Sequence, residues 1–227
     1  QALNDSSTSS DLLLSVELVS SAATGGGSEG VAATAIRYNG PVALDRSAVV
    51  KARTLSGSTW SALNEAVFAV GPVVESLRIS EIMYHPADAD DPNSEFIELT
   101  NIGTEAIDLY LVRFTDGIDY TFEPYELAAG DICLLVRDIA AFEARYGAGL
   151  PVVGRYEGNL RNGGERIELV DAAGQVIQRF VFDDAWYTLT DGLGFSLTVR
   201  RPEQTGEDTL NDKAAWQPSE QPGGSPG

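Results

Sequence analysis

The chain has 227 residues, of which 43% are hydrophobic, and its 34 acidic against 15 basic residues give a formal net charge of −19. This length allows one large or two small domains with packed cores, and the composition is typical of a folded protein. Because sequence-independent binding of nucleic acid needs lysine and arginine to neutralise phosphates, this charge disfavours a nucleic-acid partner.

The first 70 residues predict a small all-β segment behind a polar, serine-rich N-terminus. Short apolar runs are separated by Gly, Pro and Ser turns, which is the pattern of short strands. The strand-like runs are residues 12–19, 36–44, 48–53, 60–63 and 66–70. Residues 25–30 formally satisfy G-x-G-x-x-G, but no convincing helix and no acidic residue follow at the required spacing, so we expect a loop there.

Residues 71–76 contain Gly71 and Pro72 and are predicted to connect two domains, 1–70 and 77–227. The second domain gives mainly strand signals, at residues 77–84, 95–101, 109–114, 120–122, 131–136, 166–171, 176–182 and 195–200. One helix is predicted over residues 138–147, where Ile139, Phe142 and Tyr146 recur at helical spacing before Gly147. The single cysteine, Cys133, excludes an intramolecular disulfide and lies in an apolar run, which predicts a buried thiol.

Two strand signals, Leu77 to Pro86 and Glu95 to Asn101, are joined by an acidic loop, and this pair resembles the opening of the lamin tail domain family. Residues 192–197 (GLGFSL), 216–219 (WQPS) and 223–227 (GGSPG) resemble that family's closing motifs in the same order. The resemblance implies an all-β, immunoglobulin-like β-sandwich over residues 77–227. It implies little about activity, because such sandwiches carry unrelated functions.

Residues 38–41 (YNGP), 50–53 (VKAR), 60–61 (WS) and 65–68 (EAVF) resemble a chitobiase C-terminal or fibronectin-III-like repeat, although the match does not extend before residue 30. Such repeats often precede lamin tail domains in secreted prokaryotic proteins that also carry a spore-coat-kinase-like (CotH-type) domain. The resemblance therefore implies an extracellular or cell-surface location. The chain begins at Gln1 without methionine, and we expect an excised fragment or mature form. No apolar run approaches the ~18 residues that a membrane span needs.

The acidic loop offers the best candidate for a metal site. Oxygen donors stand at Asp88, Asp90, Asp91, Asn93 and Glu95, and a hard cation such as calcium collects ligands of this kind from a single turn. The loop lacks the central glycine and the glutamate at the twelfth position of an EF-hand. The alternative is a solvated hairpin connection without metal.

Other candidates are weaker. Glu81 and Glu98 lie on the two opening strands, where paired carboxylates would serve acid–base chemistry on a glycan or, more commonly, accept hydrogen bonds. Strand parity places Glu81 on the side of Ile79 and Met83 unless a bulge intervenes. Trp186 and Tyr187 follow a polar stretch and are candidates for a surface that binds sugar or peptide. His85 is the single histidine, so any catalytic triad must recruit it.

Two functional hypotheses follow. The first is a non-catalytic structural or binding module of a larger protein, which contacts that protein's other domains and a surface protein or glycan, without cofactor and without membrane insertion. The second is an accessory or catalytic domain of a metal-dependent carbohydrate- or phosphodiester-processing enzyme. The shortage of partnered acids and bases favours the first.

Overall fold

The computed structural model describes residues 11–17, 35–87 and 92–227, and the chain divides into two compact units, residues 1–70 and 71–227. Strands dominate the described residues and helices are few, which confirms the predicted all-β class. Within the described ranges, no helix is long and apolar enough to cross a bilayer.

The first unit is built around one long central strand. Its strands are β1 (Asp11–Glu17), β2 (Ile36–Arg37), β3 (Ala48–Ser56), β4 (Thr59–Trp60) and β5 (Asn64–Phe68). Strand β3 pairs antiparallel with β1 along one edge and with β4 and β5 along the other. The turn at Gly57, where φ is +62°, returns the chain so that the Arg53 guanidinium packs over the Trp60 ring.

The second unit contains two β-sheets with short helices and 3₁₀ turns at their margins. Its helices are α1 (Val73–Ser76) and α2 (Ile139–Tyr146), and its strands are β6 (Leu77–Met83), β7 (Phe96–Asn101), β8 (Ile107–Asp108), β9 (Arg113–Asp116), β10 (Tyr120–Thr121), β11 (Glu126–Leu127), β12 (Ile132–Val136), β13 (Val152–Arg155), β14 (Arg166–Val170), β15 (Val176–Val181), β16 (Leu197–Val199) and β17 (Trp216–Pro218). The 3₁₀ turns are Pro92–Ser94, Asp184–Trp186, Pro202–Gln204, Thr209–Asn211 and Lys213–Ala215.

The sheets form an immunoglobulin-like sandwich. One sheet has the order β13-β12-β7-β6-β16-β17 and the other β10-β9-β14-β15, while β8 and β11 form a separate ribbon. Ten apolar residues of these strands are buried: Ile79, Ile82, Phe96, Ile97, Leu99, Leu134, Ile167, Leu169, Phe180 and Leu197. Eight of them belong to the main core, whereas Phe96 and Leu134 belong to a second cluster on the opposite face of the six-stranded sheet.

The second cluster lies beneath α2. This helix begins where the Asp138 carboxylate accepts a hydrogen bond from Ala141 N, and it ends at Gly147, where φ is +87°. Phe142 is fully buried and its ring meets Phe96 edge-to-face. The predicted helix is therefore confirmed, although Ile139 is 43% exposed rather than part of its apolar face.

Three segments differ from the local sequence pattern. The strand expected over residues 36–44 covers only Ile36–Arg37, and the chain from Tyr38 through the Gly40-Pro41 turn signal to Leu44 is not a strand. The strand expected over residues 109–114 begins only at Arg113, because the chain turns at Leu111, where φ is +64° and Val112 N donates to Leu109 O. Residues 71–76, expected as a connection, include α1, whose Val73 side chain is buried in the main core.

Candidate functional site

A β-bulge in the opening strand decides where its glutamate points. Strand β6 pairs antiparallel with β7, and the register shifts between Ile79 and Glu81. Ile79 lies in the main core before the shift and Ile82 after it, so the strand's two faces exchange. Glu81 and Met83 consequently lie on the outer face of the strand, whereas Ile79 lies on the inner face. Simple alternation would have placed all three on one face, and the bulge is the exception named in the sequence analysis.

The Glu81 carboxylate accepts hydrogen bonds from the segment formed by residues 219–227, which we call the strap. Ser225 N donates to Glu81 Oε1 (2.8 Å) and Ser225 Oγ to Oε2 (2.6 Å). Ser196 Oγ also donates to Oε1 (2.6 Å), and Glu81 is only 1% exposed. The carboxylate is therefore satisfied by three donors in a buried position, which is what a charged side chain needs in order to be tolerated there.

Glu98 lies directly opposite Glu81 on β7 and holds the far end of the strap. Gly227 N donates to Glu98 Oε2 (2.9 Å), and Ser80 Oγ donates to Oε1 (2.7 Å). Burial raises the pKa of Glu98, and the neighbouring Glu81 carboxylate adds to that increase, while the two donors oppose it. The strap thus covers a pair of facing carboxylates.

This arrangement restricts what the pair can do chemically. A carboxylate that protonates or attacks a glycosidic bond has to reach the sugar. Glu81 and Glu98 are 1% and 8% exposed, and the strap lies over them. Ser225, the serine of the terminal G-x-S-x-G, donates its hydroxyl proton to Glu81 and lies in coil rather than at a strand-to-helix turn.

The acidic loop is described only in part, because Asp88, Asp90 and Asp91 lie outside the described residues. Asn93 is exposed in the 3₁₀ turn Pro92–Ser94. Glu95 is 1% exposed, and its carboxylate accepts hydrogen bonds from Arg137 Nη1 (2.8 Å), Leu160 N (2.9 Å) and Tyr156 OH (3.1 Å). Burial raises the pKa of Glu95 against the opposing effect of these donors.

Glu95 therefore joins β7 to the segments around Arg137 and Leu160, rather than standing open toward solvent. In the part of the chain that the structure describes, no three His, Cys, Asp or Glu side chains are grouped so that they could hold a metal ion. The sequence did not predict the Arg137 and Tyr156 partners, since they lie 42 and 61 residues further along the chain.

His85 pairs with a residue that sequence reasoning missed. Its Nδ1 lies 2.9 Å from Asp191 Oδ1, and the neighbouring Tyr84 hydroxyl lies 2.9 Å from Thr190 Oγ1. Gly192 packs so closely that an added Cβ would lie 3.0 Å from the imidazole. The Asp191-Gly192 dipeptide is a turn signal, but no sequence rule connects it with a histidine 106 residues away.

Trp186 and Tyr187 form a half-buried patch at the sheet margin. The Trp186 ring lies 6.4 Å from that of Trp216, which is fully buried in the core. Tyr187 OH donates to Trp216 O (2.9 Å), and Lys213 Nζ lies over the Tyr187 ring at 4.6 Å. Both residues are thus half-buried and packed against the main core.

Comparison with known proteins relates the second unit to one family. The Lamin Tail Domain family model matches residues 72–184. Among solved structures, a DUF4876 family protein from Bacteroides thetaiotaomicron is similar at 10% sequence identity with a TM-score of 0.36, over 98% of this chain and 91% of that chain. A search of curated proteins gives no significant match.

Proposed function

We propose that this chain, whose residues 72–184 match the Lamin Tail Domain family, is a non-catalytic spacing and binding module of a larger extracellular or cell-surface protein. It would present its surfaces to neighbouring domains of that protein and to a surface protein or glycan. The immunoglobulin-like sandwich supports this role, because it is a rigid scaffold whose function depends on its surface rather than on its fold.

The observation that carries the proposal is the strap over Glu81 and Glu98. The best-placed carboxylate pair of the second unit is covered by the strap and satisfied by Ser196, Ser225 and Gly227. Such a pair stabilises the fold and is withheld from a substrate. The pairing of His85 with Asp191 adds no nucleophile, because Ser225 is committed to Glu81.

We further propose that the first unit is the repeat of chitobiase C-terminal or fibronectin-III-like type that its motifs resemble. Its single antiparallel sheet is compatible with such a repeat. In this role the unit would space the second unit from the rest of a secreted, CotH-kinase-associated protein. The sequence that flanks this chain in its gene tests the idea directly, because a kinase-like domain there would define the process served.

A substrate screen separates the module from an enzyme. The protein should turn over no polysaccharide, phosphodiester or ester substrate, with or without divalent metal. Turnover that Glu81→Gln or Glu98→Gln abolishes, and that the exposed Glu126→Gln leaves intact, would establish the enzyme and overturn the proposal. Binding is tested on immobilised glycans, with Trp186→Ala expected to reduce retention if the aromatic patch is the contact surface.

A further inference from the structure

The basic residues of the second unit are unevenly paired. At least five of its ten arginines lie within 4 Å of a carboxylate, as in the pairs Arg137–Glu95, Arg155–Glu157, Arg166–Glu168 and Arg179–Glu207. Four cations at one corner form no such ion pair with a described residue: Arg78, Arg200, Arg201 and Lys213. In a chain with more than twice as many acids as bases, four cations at one place without an ion pair need an explanation.

A surface pocket of about 340 Å³ opens at this corner. It is lined by Arg200, Arg201, Gln204, Thr205, Thr209, Ala214 and Ala215. The lining comes from the end of β16 and from three 3₁₀ turns, Pro202–Gln204, Thr209–Asn211 and Lys213–Ala215, that follow one another closely in the chain. The pocket therefore combines two guanidinium groups, one amide and two threonines with the methyl groups of two alanines.

The two guanidinium groups are held in different ways. Arg200 is fixed in place, because its Nε donates to Trp216 O (2.8 Å) and its Nη1 to Gln217 Oε1 (3.0 Å). Arg201 is exposed and makes only a long contact from Nη1 to Gln204 Oε1 (3.3 Å). One arginine is thus pre-oriented at the pocket and the other is available to close on a ligand, which limits the entropy cost of binding.

Arg78 places a further positive charge behind the pocket wall. It is 8% exposed, and its Nε donates to the backbone oxygen of Thr205, a pocket residue (2.9 Å). Its Nη1 donates to Val74 O and Leu77 O. A buried charge is screened less than an exposed one, so Arg78 contributes positive potential at the pocket, which the nearby Glu75 carboxylate offsets in part.

The nearby acids are largely engaged elsewhere. Glu207 and Asp208 lie within 4 Å of Arg179, and Asp212 accepts a hydrogen bond from Ala214 N. Glu203 is exposed in the first of the three turns but does not line the pocket. The charged side chains that line the pocket are therefore the two guanidinium groups of Arg200 and Arg201.

We infer that this pocket binds the carboxylate of a uronic-acid sugar. Guanidinium groups match a planar carboxylate through paired N–H donors. Gln204 and Thr209 are placed to bond ring hydroxyls, and Ala214 and Ala215 offer an apolar surface to the C–H face of the ring. The strongly negative charge of the whole chain opposes a polyanion such as nucleic acid more than a ligand with one charge. This inference rests on the proposed binding function and names a ligand class for it.

The test is a titration of the whole chain with glucuronate, followed by amide chemical shifts, with glucose, acetate and sulfate in parallel. Glucuronate should move the resonances of residues 200–215 in a saturable way and glucose should not. Arg201→Gln should raise the Kd about tenfold, because the variant loses one charge-assisted hydrogen bond to the ligand. Arg161→Gln is the matched control, because it removes the same charge from a side chain that is 77% exposed and does not line the pocket.

Three results would overturn the inference. Absence of shifts at residues 200–215 would show that the pocket does not take the sugar. Equal affinity for acetate, sulfate and glucuronate would assign it to any small anion instead. An equal loss in Arg161→Gln and Arg201→Gln would attribute binding to net charge alone. If any of these results is obtained and the protein still binds other glycans, the proposed binding function is kept and only this pocket is rejected as the site. Turnover of glucuronides would instead overturn the proposed non-catalytic function.

Discussion

Glu81 and Glu98 stand directly opposite each other on adjacent strands, and each holds a different residue of the same strap: Ser225 is bound by the first and Gly227 by the second. Two facing carboxylates repel each other, and hydrogen-bond donors around them stabilise their negative charge. The backbone amides and serine hydroxyls of the strap and sheet provide those donors. The strap is therefore part of the folded structure, and its attachment can be measured.

We predict that Gly224→Ala loosens the strap. Gly224 has φ of +79°, and a Cβ there would overlap Glu81 Oε1. Gly130 also has φ of +79°, with no atom within 4 Å of its added Cβ, so Gly130→Ala is a control with the same backbone cost of about 1–2 kcal/mol. The free energy of unfolding should fall further in Gly224→Ala, by about 1–3 kcal/mol. Equal losses in chemical denaturation would show that the strap is not packed as described.

A second prediction concerns pH. Because the pKa of Glu98 is raised in the folded protein, the native state binds this proton more tightly than the unfolded state does. Stability should therefore rise as pH falls from the raised pKa toward the ordinary glutamate pKa of about 4.3. In Glu98→Gln the amide can still accept from Gly227 N and donate to Ser80 Oγ, so the fold is kept and this proton is removed.

The measurement is the free energy of unfolding of both proteins from neutral pH to about pH 4.3, the ordinary value for glutamate. The parent should gain stability relative to Glu98→Gln as pH falls. The titration of Glu95, whose interactions do not involve Glu98, contributes equally to both proteins and cancels in the difference. Parallel curves would show that Glu98 ionises as freely in the folded as in the unfolded chain.

A third prediction is that Glu95 matters for stability. Glu95→Ala leaves Leu160 N and Tyr156 OH without their acceptor and Arg137 without its carboxylate. Removing one partner of a buried pair costs about 3–5 kcal/mol, and the lower end applies here because Arg137 is 27% exposed and can turn toward water. Glu157→Ala, whose side chain is 71% exposed in its pair with Arg155, should cost less than about 1 kcal/mol.

The calcium hypothesis gives a fourth prediction. Since Glu95 is engaged by three protein donors, we expect calcium in excess salt to give no saturable heat and no increase in melting temperature. A saturable signal that Asp90→Asn with Asp91→Asn removes would instead establish a site formed by the loop without Glu95. Sodium chloride at matched ionic strength controls for general screening.

A fifth prediction concerns Cys133. Burial raises the pKa of this thiol to about 12, so almost no thiolate is present at neutral pH. A thiol reagent should leave the folded protein unlabelled and label it promptly in denaturant. Rapid labelling without denaturant would indicate that β12 opens readily.

The sequence predicted the core well where alternation alone decides it. In β7, Ile97 and Leu99 alternate with Phe96 and Glu98, and the structure buries the two sets on opposite faces. The same rule did not decide which face of β6 carries Glu81. A β-bulge of one residue exchanges the two faces of a strand, and no residue pattern reliably marks such a bulge in the sequence.

The candidate sites were less predictable, because their partners lie far away along the chain. The sequence marked Glu81, Glu95 and His85 as notable, but the groups that bind them, Ser225, Arg137 and Asp191, are brought near only by the sandwich topology. The basic corner was missed for the same reason. Arg78 and Thr205 are separated by 127 residues and meet where β6 lies beside the turn Pro202–Gln204.

The contact between Ser225 and Glu81 spans 144 residues, and it joins the first strand of the second unit to the strap. The ribosome synthesises the chain from its N-terminus, so β6 leaves the ribosome long before Ser225 is made. Closing so distant a contact is slow, because the loop entropy is lost before the bond forms. During synthesis, therefore, two facing carboxylates remain uncovered until residues 219–227 have been made, and the sandwich should reach its native stability only after that, in a cooperative step.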